Sequence, residues 1–241
     1  MRKETDSMGE VMVPDEAYFG AQTQRAIENF KVSGKSMPLD FIYALATVKL
    51  ACALSNKELK YIEEKKADAI IQACKEILDH KFDNQFPVDI YQTGSGTSTN
   101  MNINEVIANR ATEILGGKKG EKLVHPNNDV NKGQSSNDTI PTAMHIMIVE
   151  LSKKKLLPAL DGLKEALEYK EKEFANIVKI GRTHMQDAVP IRLSDEFGAY
   201  KTQIINNKTR ITFALEGLKE LALGATDVRT GLNAPKGFAR L

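Results

Sequence analysis

Two very long helical stretches in the second half of the chain set the strongest limit on its fold. One begins near Ser136–Asp138, takes Pro141 in its first turn and continues towards Glu173. Its apolar stripe is Ile140, Met144, Met147, Ile148 and Leu151. Pro158 should kink or break it, because proline removes a backbone donor and clashes with the preceding turn. The other runs from about Ser194 to Leu223 and ends at Gly224. Phe197, Ile204, Ile211, Leu215, Leu218 and Ala222 recur along it at intervals of seven, seven, four, three and four, the spacing of a bundle seam. About 30 residues rising 1.5 Å each make a rod of roughly 45 Å. A compact domain of this size does not need such a rod, so it wants partner helices from this chain or another.

The first half carries shorter helical patterns. A brief one lies near Ala21 to Phe30 in an otherwise mixed, turn-rich opening. From Pro38 to Asn56, Leu39, Ile42, Leu45, Ala46, Lys49 and Leu50 share one side, and only the lysine is polar. Ala67, Ile70, Ile71, Cys74, Ile77 and Leu78 define a second helix from about Glu63 to His80. A third starts after Thr97–Thr99 and stops at Gly116–Gly117, with hydroxyls before it and glycine after it as expected caps. Strand signals are confined to Gln85–Tyr91 and Ile177–Ile180. The class is mainly α, divided into an N-terminal helical domain over 1–135 and the opening of a long-helix bundle domain over 136–241.

Composition narrows the function. Thirty-three basic and 32 acidic residues leave a net charge of +1, without the basic surplus that nucleic acid as main partner would call for. No apolar run approaches about 18 residues, so no membrane span is expected. Cys52 and Cys74 sit inside helical apolar patterns and read as two reduced core thiols. No leader is evident at the start, which points to a cytoplasmic protein or one trimmed of its targeting segment.

Three polar islands break the amphipathic rhythm: QTGSGTSTNMNINE (92–105), HPNNDVNKGQSSND (125–138) and GRTHMQDAVP (181–190). Caps and turns use the same residue types, but three such tracts are richer in small donors than capping requires. Hydroxyl, amide and backbone N–H donors at helix starts bind carboxylates or phosphates without a metal. A phosphate-binding P-loop is excluded, because GSGTSTN lacks the required glycine and lysine spacing. The four histidines, at 80, 125, 145 and 184, form no metal-ligand pair. His125 and His184 lie in islands, where an imidazole can exchange a proton near neutral pH.

At these islands the chain resembles the class II fumarases of the fumarase/aspartase superfamily. The matching segments are ETDSMGEV, YFGAQTQRAIENF, FPVDIYQTGSGTSTNMNINEVIANRA, VHPNNDVNKGQSSND, KIGRTHMQDAVP and LALGATDVRTGLN. The resemblance covers essentially the whole chain. It implies reversible hydration of fumarate to malate with no metal or organic cofactor. It assigns substrate binding to Ser95, Thr97, Ser135, Ser136, Asn137 and Thr183, and acid/base work through an ordered water to His184. It implies a homotetramer whose sites gather segments of three subunits. A second anion site would be His125, Asn127 and Asn128, although Asn128 stands where an acidic residue is usual. Arg229 replaces a residue that is commonly glycine. Relatives are longer and carry a mobile serine, lysine and asparagine loop that does not occur before Leu241. The chain is therefore expected to be an N-terminal portion, inactive alone. The alternatives are an aspartase-like ammonia-lyase or a non-catalytic remnant of the fold acting in binding or assembly. Aspartases tend to carry Gln at the position of His184.

Overall fold

The computed structural model describes residues 1–240. It divides into two compact units, one of residues 1–147 with 221–241 and the other of residues 148–220. The expected division at 135/136 lies earlier than this boundary. The first turns of the helix at 136 bury Ile140 and Ala143 in the first core, and Phe238 joins the same core from the end of the chain.

The first unit opens with a hairpin of β1 (Arg2–Asp6) and β2 (Gly9–Val13), paired antiparallel from Arg2↔Val13 to Asp6↔Gly9. The sequence gives little sign of it, because of its ten residues only Glu4 and Val13 are buried. Arg2 fastens it to the chain that follows by donating to the carbonyls of Pro14, Ala17 and Phe19. Then come α1 (Ala21–Asn29), α2 (Leu39–Glu58), α3 (Glu64–Leu78) and α4 (Thr97–Ile114). These bounds lie close to those read from periodicity and caps. Ile42, Leu45 and Val48 of α2, Ile70, Cys74 and Ile77 of α3, and Ile103, Val106 and Ile107 of α4 pack into one core. The strand expected near Gln85–Tyr91 does not form. That segment holds a single helical turn, Asp83–Gln85, and one isolated bridge between Ser36 and Asp89.

α2 has no unbroken apolar run of about 18 residues, yet it is long and apolar enough on average to cross a membrane. Its mean hydropathy is 1.3 over 18 residues, and it is a mostly buried helix of this core with Lys49 inside it. α4 is buried on every side from Thr99 to Asn109, although half of those residues are polar. Each polar side chain has an internal task. Asn102 donates to the Gln85 carbonyl, Asn109 to the Tyr18 carbonyl, and Glu105 accepts from the backbone N–H groups of Gly20, Gln22 and Thr23. Glu105 thus caps α1 from 82 to 85 residues away in sequence, where Gly20 has no side chain to do so.

α5 (Ser136–Leu151) leads out of the first unit. In the second unit the helix widens into a π turn, Ser152–Leu156, and continues as α6 (Leu157–Glu173). Pro158 therefore neither ends nor sharply breaks it. The proline falls in the first turn of α6, and the wide turn before it absorbs the missing backbone bond. β3 (Val178–Thr183) and β4 (Gln186–Arg192) form an antiparallel hairpin, and α7 (Leu193–Gly217) follows. α7 stops at Gly217 rather than near Leu223, so Leu218 and Ala222 lie beyond it. Of the expected seam only Leu215 is buried, while Phe197, Ile204, Ile211 and Leu218 are half-buried. α7 pairs with α6 through Phe174–Phe197 ring contact and the Lys201–Glu171 and Lys208–Asp161 ion pairs. No residue of α6 is fully buried.

Candidate functional site

The first island ends in the N-terminal turn of α4. Gly96 precedes it with φ at +72°, and a β-carbon there would come within 3.1 Å of the Ile140 side chain. Only glycine meets both conditions, so this residue lets the start of α4 approach the first turn of α5. Gln92 reaches over the turn, accepting from Thr99 N at 2.7 Å. Ser95 and Thr97 stay exposed, with their hydroxyls 2.9 Å apart.

The second island ends in α5, and side chains cap its start. Ser135 Oγ accepts from Asn137 N at 3.3 Å, and Asp138 Oδ1 accepts from Ser135 N at 2.9 Å. The other Asp138 oxygen accepts from Gly224 N at 3.1 Å and Thr226 N at 2.9 Å, which ties the 224–226 segment to this turn. Asn137 donates to the Asp227 backbone and side-chain oxygens at 3.0 and 2.6 Å. Ser136 Oγ accepts from Asn100 Nδ2 at 3.0 Å, which leaves its own O–H as a donor. The two islands therefore meet. Asn100 of α4 touches Ser136 of α5, and Thr139 Oγ1 donates back to Asn100 Oδ1 at 3.4 Å.

The third island lies in the other compact unit and is a hairpin tip, not a helix start. Thr183 pairs with Gln186 across a two-residue turn, and His184 and Met185 take left-handed φ values of 51° and 58°. Thr183 and His184 are both exposed there.

His125 caps the short π turn Pro126–Val130. Its Nδ1 accepts from Asn127 N and Asn128 N, each at 3.1 Å. That ring nitrogen can accept only when unprotonated. Burial and the nearby Lys122 push the His125 pKa below its ordinary value, while Asp129 pulls it the other way. His125 and Asn127 line a cavity of about 210 Å³ together with Glu4, Asp6, Glu105 and Lys122. Asn128 is exposed beside it.

Cys52 and Cys74 are buried free thiols, both pushed up to about 12 by burial. Among the described residues no three His, Cys, Asp or Glu side chains gather as metal ligands would. Arg229 takes φ +63°, a backbone state that favours glycine and costs other residues about 1–2 kcal/mol. The sequence alone missed the residues that join the islands, Asn100, Asn131, Gln134 and Lys49, and the Asp227 carboxylate that holds Asn137. Lys49 left the clearest signal, as the one polar residue on the apolar stripe of α2.

A family model described as lyase matches residues 9–241. The class II fumarate hydratase of Campylobacter jejuni is 56% identical over 234 residues, covering 97% of this chain and 50% of that protein. A second class II fumarate hydratase, from Bradyrhizobium diazoefficiens, is 53% identical over 241 residues, covering 100% and 51%. The crystal structure of class II fumarase from Schistosoma mansoni superposes with a TM-score of 0.95 at 46% identity, over 99% of this chain and 50% of that one. The chain thus spans about half the length of the relatives it matches.

Proposed function

Since this chain belongs to the lyase family, beside class II fumarate hydratases, we propose that it supplies part of a centre that reversibly hydrates fumarate to (S)-malate. One observation carries the site assignment: the N-terminal turns of α4 and α5, both rich in hydroxyls, lie one hydrogen bond apart through Asn100 and Ser136. Two helix N-termini so placed each offer a positive dipole end and donors to a dianion.

The chemical problem is to remove a proton beside a carboxylate. The carboxylate then takes on further negative charge, and preorganised donors stabilise it. Ser95, Thr97, Ser135, Ser136, Asn137 and Thr183 are the donors in this reading. Asn137 must exchange Asp227 for substrate, and the outer hydroxyls are already free to turn. His184 exchanges the proton through water. Its exposed tip gains a closed setting when segments of other subunits surround it. Exposed Leu163, Tyr200, Ile205 and Phe213 in the second unit support assembly with further copies, as a homo-oligomer and in the finer reading a homotetramer. His125, Asn127 and Asn128 form the second anion site beside their cavity. Further parts of the reading are a cytoplasmic enzyme of the tricarboxylic acid cycle, with a small dicarboxylate as partner. It needs no cofactor and engages neither nucleic acid nor membrane.

His184→Asn in the assembled enzyme tests the assignment. It should lower fumarate turnover at least ~100-fold, the scale of losing an acid/base group. Near wild-type turnover would remove His184 from the mechanism. Ammonia release from aspartate by the unaltered enzyme would instead favour an ammonia-lyase.

A further inference from the structure

Lys49 has no exposed surface. Its ammonium donates to Asn131 Oδ1 and Gln134 Oε1, both at 2.9 Å, and both acceptors are uncharged. A buried cation without a bonded anion is costly to keep. What it holds is specific. Asn131 Oδ1 also accepts from Asn100 Nδ2 and Asn104 Nδ2, each at 3.2 Å, so three donors from α2 and α4 converge on one oxygen. Asn131 Nδ2 donates to the Gln134 carbonyl, and Gln134 Nε2 to the carbonyls of Val130 and Lys132. Gln134 is followed directly by the Ser135 cap, and Asn100 holds Ser136.

We propose that Lys49 is the positioning residue of the anion site: it locks the Asn131–Gln134 turn against the first turns of α4 and α5 and places a fixed positive charge behind their donors. The proposal rests on the reading of these turns as the dicarboxylate site. It makes the site sensitive to pH. Burial pushes the Lys49 pKa down to about 8. Above that value the charge disappears, and its two hydrogen bonds weaken from charge-assisted to neutral strength. The groups that face Lys49 are Cys52 on α2, Cys74 on α3 and Asp138 on α5. Both thiols are pushed up to about 12, so they stay protonated across this range.

The test is a pH titration of the isotopically labelled chain by amide NMR, with and without Lys49→Met. Signals of residues 131–138 and 97–100 should share one midpoint near 8 in the wild type. Lys49→Met should abolish that midpoint and leave the α3 signals in place. The absence of a shared midpoint, or its survival in Lys49→Met, would overturn the proposal. If that variant does not fold, the wild-type titration alone decides. A fumarate or malate titration of the same samples reads the charge. Binding should weaken roughly tenfold in Lys49→Met, and likewise in the wild type above the midpoint. Equal binding in both would refute the electrostatic half. A wild type that takes up no dicarboxylate would sink the substrate reading, while the NMR midpoint still judges Lys49.

Discussion

Asp138→Asn is the sharpest probe of how the donor turn is held. Asp138 is 1% exposed and accepts three backbone N–H groups, one oxygen on Ser135 and the other on Gly224 and Thr226. Asparagine is nearly the same size but keeps a single acceptor oxygen. If that oxygen faces Gly224 and Thr226, the new NH2 group confronts the Ser135 N–H. The reverse orientation strands two donors instead of one. The cheaper choice still loses one hydrogen bond to a charged group, worth about 1.5–3 kcal/mol. In a chain of this size about 2 kcal/mol corresponds to a fall in Tm of roughly 4–8 °C. Differential scanning calorimetry measures it, with Asp227→Asn as the exposed control, expected within about 0.5 kcal/mol of the wild type. Amide exchange should also quicken at Ser135 in Asp138→Asn, because its N–H loses its acceptor, while Gly224 and Thr226 keep theirs. A variant that melts within about 1 °C of the wild type, with unchanged exchange, would show that the carboxylate does not hold this turn.

Three further outcomes follow from the same geometry. The His125 pKa lies below its unfolded value of 6.5, so the unfolded chain binds more protons as pH falls below 6.5 and stability is lost there. His125→Asn, whose amide oxygen can take the same two N–H bonds without titrating, should flatten that slope in urea unfolding at several pH values. Sedimentation at micromolar concentration should show a dimer or larger, because α6 has no buried residue and Phe213 is 82% exposed; a monomer would contradict the assembly reading. A polypeptide of these 241 residues alone should show fumarate turnover no higher than background, and robust activity free of host enzyme would place the proton-abstracting base among them.

How much of this could be read in advance depended on whether the signal was local. Helix starts and stops are local. Ser135 ahead of Asp138 and glycine after Leu115 mark such ends, whereas the hydroxyls Thr97–Thr99 expected ahead of α4 form its first turn, with Gly96 as the N-cap. The β1–β2 hairpin escaped because its residues are mostly polar and just two are buried. Four of the six seam residues, Phe197, Ile204, Ile211 and Leu215, fall in α7, but periodicity cannot tell what covers them. Most of the seam is only half-buried here, and the chain leaves the helix before Leu218 and Ala222.

The site divides along the same line. Donor-rich islands are a compositional signal, and within them it is the resemblance to class II fumarases that singles out Ser95, Thr97, Ser135, Ser136 and Asn137. What brings two islands together is not local. Asn100, Asn131 and Gln134 look like ordinary members of polar loops, and their value comes from one amide oxygen that collects donors 82, 31 and 27 residues away in sequence. Lys49 was visible only as an exception, a cation on the apolar stripe of a core helix. Such an exception is expensive in a buried setting, and the expense is what gives it meaning. The stripe that buries α2 carries Lys49 into the core, and the neutral amides of the second island satisfy it there. Packing of the core and shaping of the anion site are therefore one problem, joined at a single side chain. A substitution at Lys49 that improves the core by removing charge is expected to loosen the donors above it.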